Sequence, residues 1–382
     1  MSRSTVGKKP VVVYGASGYT AQLICEYLRN FDIPFIAAGR SHAKVAAALS
    51  RVPGIETAAY DIEEVEHETD TLAALFDGAK VVCNTVGPFT ELGSPVVEAA
   101  LKAGCHYLDT TGEQPFIRRL RDEYGAAFAA RGLLLAPSTA SMWGELDILI
   151  DLCTRHGAID SIEASMVAVG VPTYGSTQTV FQGFLTEAYY LDAGRLTPWP
   201  ACQLYEFSPP SGGLNQLLHH WGGGALPIYY EHHPEVRTVR VYGGFTTREL
   251  MDGVQRMERH YQEHLKDLPI EQRKAALSQF AASMQGSMPP RENPLLHRTL
   301  TSVIARGTFK EIVASGRGAG GYTTTAAFQA AAARLLLTQG PRRTGFQSPT
   351  GAFGSEYLRN TLDRLGLWRV LEVRELGGRA CA

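Results

Sequence analysis

The chain has 382 residues, 45% hydrophobic and 19% charged, with a formal net charge of −2. That length suits two domains, and the composition can bury a core, which excludes a disordered or fibrous chain. The balanced charge, with no basic run longer than Arg118-Arg119 or Arg342-Arg343, speaks against a nucleic-acid partner. No membrane span is expected, because Pro137, Glu145 and Asp147 interrupt the most apolar window at 133–152, and a span needs about 20 unbroken apolar residues. The opening "MSRSTVGKKP" is polar and "VVVYGA" is too short for a signal h-region. Six cysteines at 25, 83, 105, 153, 202 and 381 form no C-x-x-C pair, so neither a disulfide framework nor a zinc site is expected and a cytoplasmic setting suits them.

Over the first 140 residues, apolar runs alternate with helical patterns. "PVVVYG" (10–15) is a strand buried on both faces, followed by a helix at 18–29. "PFIAAG" (34–39) and "HAKVAAALS" (42–50) repeat the unit, and "IETAAYD" (55–61) reads as the third strand. "DTLAALFDG" is helical and "AKVVCNTVGP" is the fourth strand. Ser94 and Pro95 read as the N-cap and first position of the next helix. "HYLDTTG", a helix at 115–131 and "LLLAPS" complete the series. The fold class is therefore α/β, a Rossmann-type doubly wound parallel sheet whose ligand site lies at the carboxyl ends of its strands.

The turn "VYGASGYTAQLI" (13–24) supports this. Gly15 allows the tight turn, Gly18 leaves room for a pyrophosphate against backbone N–H groups, and Ala21 lets the helix pack on the sheet. Ser17 takes the place of the usual second glycine. The second strand ends in "AAGRSHAK", with Arg40 and Ser41 where an NAD site carries an acid. A guanidinium pairs with a phosphate, so NADP is favoured over NAD.

Beyond residue 145 the pattern changes. "SIEASMVAVG" (161–170) and "VRTVRVYGGF" (236–245) alternate as half-buried strands, and "TSVIARGTFKEIVASGRG" (301–318) suits a hairpin or a bent strand. A helix is expected over 176–194 and a long helical region over 246–285, opened by the capping box Thr246-x-x-Glu249. The stretch "PPSGGLNQLLHHWGGGALP" (209–227) is a candidate lid. An alanine-rich buried helix at 320–340 and a helix with a short strand at 358–376 follow. Together these imply a second, α+β domain with an antiparallel sheet and helices on one face.

Four stretches, "YGASGYTAQLICEYL", "AAGRSHAKVAAAL", "VVCNTVGPFTELGSPVVEAALKAGCHYLDTTGE" and "GGYTTTAAF", resemble the saccharopine dehydrogenase-like oxidoreductases, in the branch with trans-acting enoyl reductase-like proteins. The resemblance covers 10–140, returns at 318–357 and is thin between. It implies a Rossmann domain (1–145), an inserted α+β domain for substrate and homodimer contact (146–318) and C-terminal helices returning to the first domain (319–382). By matching motif, Gly15, Ser17, Gly18, Tyr19 and Thr20 hold the pyrophosphate of NADP, and Arg40 and Ser41 its 2′-phosphate. Thr85, Val86, Gly87 and Pro88 pass beneath the nicotinamide ribose. The chain reads "STASMWGELD" after the sixth strand, where relatives differ, so the resemblance does not name the substrate.

Hydride transfer also needs a proton donor or polarising group. Tyr174, in a loop that the resemblance turns toward the nicotinamide, is the catalytic candidate. Glu113 and Asp109 end the fifth strand and are weighed as a base or as helix caps. His219-His220 and His232-His233 suggest a metal, but adjacent side chains point apart and no third ligand stands at a metal spacing, so none is expected; His219 is weighed as an acid in the lid. Residues 161–194 hold no lysine or arginine but carry Tyr174, Phe181, Phe184, Tyr189 and Tyr190. As a cavity lining they suit an apolar or aromatic small molecule. Three functions stand: an NADP(H)-dependent reductase of a C=C, C=O or C=N bond; a saccharopine-type dehydrogenase acting on a secondary amine; and a non-catalytic NADP sensor.

Overall fold

A computed structural model describes residues 9–212, 215–221, 223–284 and 289–376. The first part alternates β1 (Val11–Tyr14), α1 (Tyr19–Asn30), β2 (Phe35–Gly39), α2 (His42–Leu49), β3 (Tyr60–Glu64), α3 (Thr69–Phe76), β4 (Val81–Asn84), α4 (Phe89–Ala103) and β5 (His106–Asp109). Helices α5 (Gln114–Arg119) and α6 (Gly125–Ala130) are joined by one π turn and lead to β6 (Leu134–Ala136). All four residues of both β1 and β4 are buried, as their unbroken apolar runs require.

Two details differ from the sequence expectation. The third strand is Tyr60–Glu64; Ile55–Thr57 is a short 3-10 turn after Gly54. Helix α4 begins at Phe89, so Ser94 is not its cap and Pro95 lies inside it. The early start is set by Glu113, whose two carboxylate oxygens accept from the N–H groups of Phe89 (2.8 Å) and Thr90 (2.7 Å).

The second part opens with α7 (Ser141–Thr154), β7 (Ser161–Val169), α8 (Tyr174–Gln182), and a hairpin of β8 (Tyr189–Asp192) and β9 (Arg195–Pro198). The small ribbon β10 (Tyr205–Phe207) and β11 (Gln216–Leu218) precedes α9 (Leu226–Tyr230), β12 (Thr238–Phe245), α10 (Arg248–His260) and α11 (Ile270–Met284). The chain continues through β13 (Arg298–Arg306), β14 (Glu311–Gly318), α12 (Gly321–Thr338), β15 (Gly345–Phe346), α13 (Pro349–Phe353), α14 (Ser355–Arg364) and β16 (Trp368–Leu376).

The first sheet runs β15-β6-β5-β4-β1-β2-β3, all parallel, so the strand order reverses between β1 and β4. The second runs β16-β14-β13-β7-β12-β8-β9. It is mixed, because β12 pairs parallel to β7 where an antiparallel sheet was expected. Alternation marks a half-buried strand but not its direction, and the long connection through α8 and the hairpin permits a crossover. The helix expected over 176–194 ends at Gln182, and its second half is strand β8. Helix α10 has Thr247, not Thr246, at its cap, because the Thr246 N–H bonds the Ala168 carbonyl.

Helix α12 packs on α1 and α7, and α7 also packs on β13 and β14. Buried α7 carries two acids. Glu145 accepts from the Ser141 hydroxyl at 2.6 Å, while its other oxygen has no partner among the described residues. Asp147 accepts from the N–H and hydroxyl of Thr350 at 2.8 and 2.7 Å.

Burial pushes the Glu145 carboxyl up to about 8, against the Ser141 hydrogen bond. A folded-state value above the unfolded one stabilises fully below about pH 4.5, and this contribution is lost as pH rises through about 8. Wild-type stability therefore falls across that window. Glu145→Gln removes this residue's share of the dependence, leaving that of buried Asp109 and Asp147, and is the more stable protein at pH 8, by on the order of a few kcal/mol. Urea denaturation of both proteins at pH 5 and pH 8 checks this; parallel pH curves would refute it.

Candidate active site

At the β1 turn the backbone is built for close approach. Gly15 has φ +90°, and a Cβ there would lie 2.6 Å from Thr85 Oγ1 and 2.9 Å from Val86 Cγ2. The Gly15 and Ala16 N–H groups bond the Ala38 carbonyl, and Gly18 N–H bonds the Gly15 carbonyl at 2.9 Å. Gly18 is the N-cap of α1, with no side-chain cap bond and no acid in the first turn. Ser17 lies on this turn, and Tyr19 and Thr20 open the helix. A twelve-residue helix that starts without a side-chain cap at a reversal of strand order presents its N-terminal amides and the positive end of its dipole to an anion. These residues fit a dinucleotide pyrophosphate.

Arg40 is exposed just past β2. Ser41 caps α2, its hydroxyl accepting from Lys44 N–H at 3.4 Å. The fold brings here a carboxylate that sequence position did not suggest: Glu64, at the end of β3, accepts from His42 N–H at 2.7 Å. Tyr14 and His67 are hydrogen bonded at 2.8 Å with stacked rings nearby. Burial, helped by the Arg40 charge and opposed by the Leu92 backbone contact, holds His67 below the ordinary imidazole value. Across the strand reversal, Thr85 donates its hydroxyl to the Tyr14 carbonyl (2.9 Å), Val86 N–H bonds Asn84 Oδ1 (3.0 Å), and the Gly87–Pro88 peptide is cis.

A cavity of about 1110 Å³ adjoins this turn. From the first sheet it is lined by Gly18, Tyr19, Thr20, Thr85, Gly87 and Pro88. Its other walls include Met142, Trp143, Met166, Val171, Phe184, Trp221 and Phe245. Among the described residues its lining contains no arginine and a single lysine, Lys274, which is paired to Glu91 at 2.7 Å. Arg237 and Arg240 stay outside. The first donates to the Ala193 carbonyl, and the second lies over the Tyr190 ring and 3.7 Å from Asp192.

Of the five aromatics in 161–194, Tyr174 and Phe184 reach the cavity. Phe181 is buried in a cluster with Met257 and Tyr261, and Tyr190 packs on Trp199. Tyr174 is 44% exposed, and its hydroxyl accepts from Gln178 Nε2 at 2.9 Å. Glu113 is committed to capping α4. Buried Asp109 accepts from Thr111 and Ser138 N–H groups, and burial raises it to about 7 against those bonds.

A belt of hydrogen bonds ties the turn to the other walls. Glu292 N–H donates to the Tyr19 hydroxyl, which donates to the Pro290 carbonyl. The Glu292 carboxylate accepts from Tyr322 and Thr323 N–H groups at 3.2 and 2.7 Å. The Tyr322 hydroxyl accepts from Thr173 N–H and donates to Ser176 Oγ, both at 2.8 Å. Arg291 grips Glu26 with both terminal nitrogens, at 2.5 and 2.7 Å. Gly320, in "GGYTTTAAF", has φ +144°, and a Cβ would lie 2.6 Å from Glu292 Oε2.

The histidines depart furthest from expectation. His219 and His220 do not point apart; their ring centroids are 4.0 Å apart. They are buried rather than on an open lid, because His219 forms an antiparallel bridge with Gly243 of β12. Both turn to Glu258 of α10, with Nε2–oxygen distances of 3.1 and 3.7 Å, and both line the cavity. Glu258 stands 39 residues from His219 in sequence, so no local spacing marks it. The apolar flanks in "LLHHW" were the available signal of burial.

The family of unknown function DUF5938 matches residues 144–373, and the saccharopine dehydrogenase NADP-binding domain matches 11–130. A saccharopine dehydrogenase-like oxidoreductase of Bos taurus is 27% identical over 42% of this chain and 42% of its own length. A protein named as a trans-acting enoyl reductase in Mycobacterium tuberculosis is 37% identical over 32% of this chain and 30% of its own. These matches span less than half of the relatives' length. The structure of saccharopine dehydrogenase (L-Glu forming) from Saccharomyces cerevisiae shares the fold, with TM-score 0.59 and 15% identity over 96% of this chain and 99% of that one. Among the described residues no helix is long and apolar enough to cross a membrane. The chain therefore belongs to the family of unknown function DUF5938, and its residues 11–130 carry a match to the saccharopine dehydrogenase NADP-binding domain.

Proposed function

We propose that the protein is an NADP(H)-dependent oxidoreductase acting on a C=C, C=O or C=N bond of a rather apolar small molecule. The observation that carries this is a large, mostly apolar cavity that shares its lining with the dinucleotide turn and lacks free cations. Gly15, Ser17, Gly18, Tyr19 and Thr20 hold the pyrophosphate, the two glycines by leaving room for it and Ser17, Tyr19 and Thr20 through their backbone amides at the positive end of the α1 dipole. Arg40 pairs with the 2′-phosphate beside the amides that Ser41 caps, and Thr85, Val86, Gly87 and Pro88 underlie the nicotinamide ribose. NADP supplies a hydride acceptor or donor, while the protein binds, orients and excludes water. Tyr174 orients substrate at the rim, where its exposure leaves it in contact with water.

A saccharopine-type substrate carries several carboxylates, and each needs a cation or hydrogen-bond donors once buried. Lys274 is already paired, which disfavours such a substrate here. A purely NADP-sensing role leaves the cavity's size unexplained.

For the cofactor, Arg40→Ala weakens NADPH binding by about 1.5–3 kcal/mol through loss of a charge-assisted pair, and leaves NADH binding nearly unchanged. Gly18→Val, which puts a branched side chain where phosphate meets backbone, gives a folded protein with no measurable binding of either nucleotide. Calorimetry with both cofactors checks these two outcomes, and equal wild-type affinities would remove the NADP assignment. For the substrate, NADPH oxidation should occur with enoyl or aryl-carbonyl compounds and not with saccharopine-type imine partners. Turnover confined to the imine set would replace this function with the amine-forming one.

A further inference from the structure

Two histidines of the cavity wall belong to a polar cluster that neither the cofactor nor Tyr174 accounts for. His219, His220 and Glu258 are 2, 7 and 4% exposed, and their donor atoms lie within 4.8 Å of one another. Two uses of such a cluster differ in where the protons sit. A metal needs a free lone pair on each ligating nitrogen. The Trp221 N–H donates to His219 Nδ1 at 3.0 Å, which places the proton of neutral His219 on Nε2. That N–H then points to Glu258 Oε2, 3.1 Å away, and cannot also bind a metal. The hydrogen-bond pattern thus disfavours a cation.

His220 has a different pair of neighbours. Its Nε2 lies 3.7 Å from Glu258 Oε1, the oxygen that His219 leaves open. With the proton on that side, Nδ1 is an acceptor, and it is buried with no partner among the described residues. Trp199 stacks on the ring, with centroids 5.8 Å apart and 13° between planes, which fixes its orientation. A buried acceptor left empty costs free energy that a ligand's donor recovers.

We infer that His220, positioned by Glu258, exchanges a proton with a substrate hydroxyl, so that the substrate pair is an apolar alcohol and its carbonyl counterpart. This rests on the NADP-dependent function above and narrows it to C–OH/C=O chemistry. In oxidation the hydroxyl proton passes to His220 Nδ1, the C=O bond forms, and the carbinol hydride leaves to NADP⁺, the oxidant. In reduction both transfers reverse. Burial, ahead of the neighbouring His219, lowers His220 to about 4, so the resting ring is neutral; the same burial opposes its protonation, which Glu258 must offset. Burial works to raise Glu258, but hydrogen bonds from both histidines bring it down to about 2, so a carboxylate faces the imidazolium as it forms.

The test begins with the wild-type protein without cofactor. Imidazole nitrogen shifts are followed by NMR as benzyl alcohol, toluene or benzoate is added, probes of one shape that differ in their donor. The expected result is a His220 Nδ1 response to benzyl alcohol alone. In turnover with the benzyl alcohol–benzaldehyde pair, His220→Asn lowers kcat about a hundredfold or more with KM changed only a few-fold. Added imidazole restores activity to His220→Gly, which a packing role would not allow. Equal responses to toluene and benzyl alcohol overturn the assignment, as does a wild-type kcat in His220→Asn. Zinc shifting both histidines at micromolar concentration would restore the metal. NADPH titration of the same samples separates these outcomes from failure of the NADP function itself.

Discussion

The cavity depends on one residue being bonded in two directions beside a neighbour bonded in a third. Glu292 caps α12 with its carboxylate, holds the Tyr19 hydroxyl with its N–H, and follows Arg291, which is locked to Glu26. Tyr322, in the first turn of α12, carries the chain of bonds on to Thr173 and Ser176 at the start of α8. The dinucleotide turn, the C-terminal helix and the α8 wall are therefore spaced by hydrogen bonds of fixed length rather than by apolar contact alone, which is less directional. Gly320 must be glycine for this to work, since any side chain would occupy the carboxylate's place.

That belt also explains how an apolar cavity coexists with so many acids. Among the acids on and around its walls, Glu113 and Glu292 each satisfy backbone amides at a helix start, where the dipole favours negative charge. Glu91 is paired to Lys274. Burial raises Glu145 and Asp109 toward the neutral form. A bound molecule therefore meets little unneutralised charge, except near Glu258, where two imidazoles intervene.

Much of the first sheet was legible because its signals are local. A strand buried on both faces is an unbroken apolar run, and a phosphate turn needs small residues at fixed offsets; Val11–Tyr14 and Gly15–Gly18 satisfy both within eight residues. Errors there arose where a distant side chain set the boundary, as Glu113 does for α4. In the second part, apolar alternation identified β7, β12 and the β13–β14 hairpin, but could not show that β12 runs parallel to β7. Nor could it separate a wall from a core: Tyr174 and Phe184 face the cavity, whereas Phe181 between them does not. Residues of one helix face different surroundings according to what packs against it, and that is decided by α11 and Tyr261 from far along the chain.

The histidine pair shows most clearly why local rules stop short. Adjacent residues diverge in a regular strand, where side chains alternate. Here β11, paired to β10, ends at Leu218, and His219 makes only an isolated bridge to Gly243 of β12. Released from the alternation of a strand, the next side chain can turn to the same side. Glu258 gives it a reason to do so, since a buried carboxylate with two oxygens needs two donors and one imidazole supplies one. His219 is pinned by Trp221 N–H and satisfies one oxygen; His220 faces the other from a longer distance. Two apparently redundant histidines thus become unequal. One is fixed by the backbone, while the other, a residue of the cavity wall, keeps a buried ring nitrogen with no partner among the described residues, the inequality that proton exchange requires.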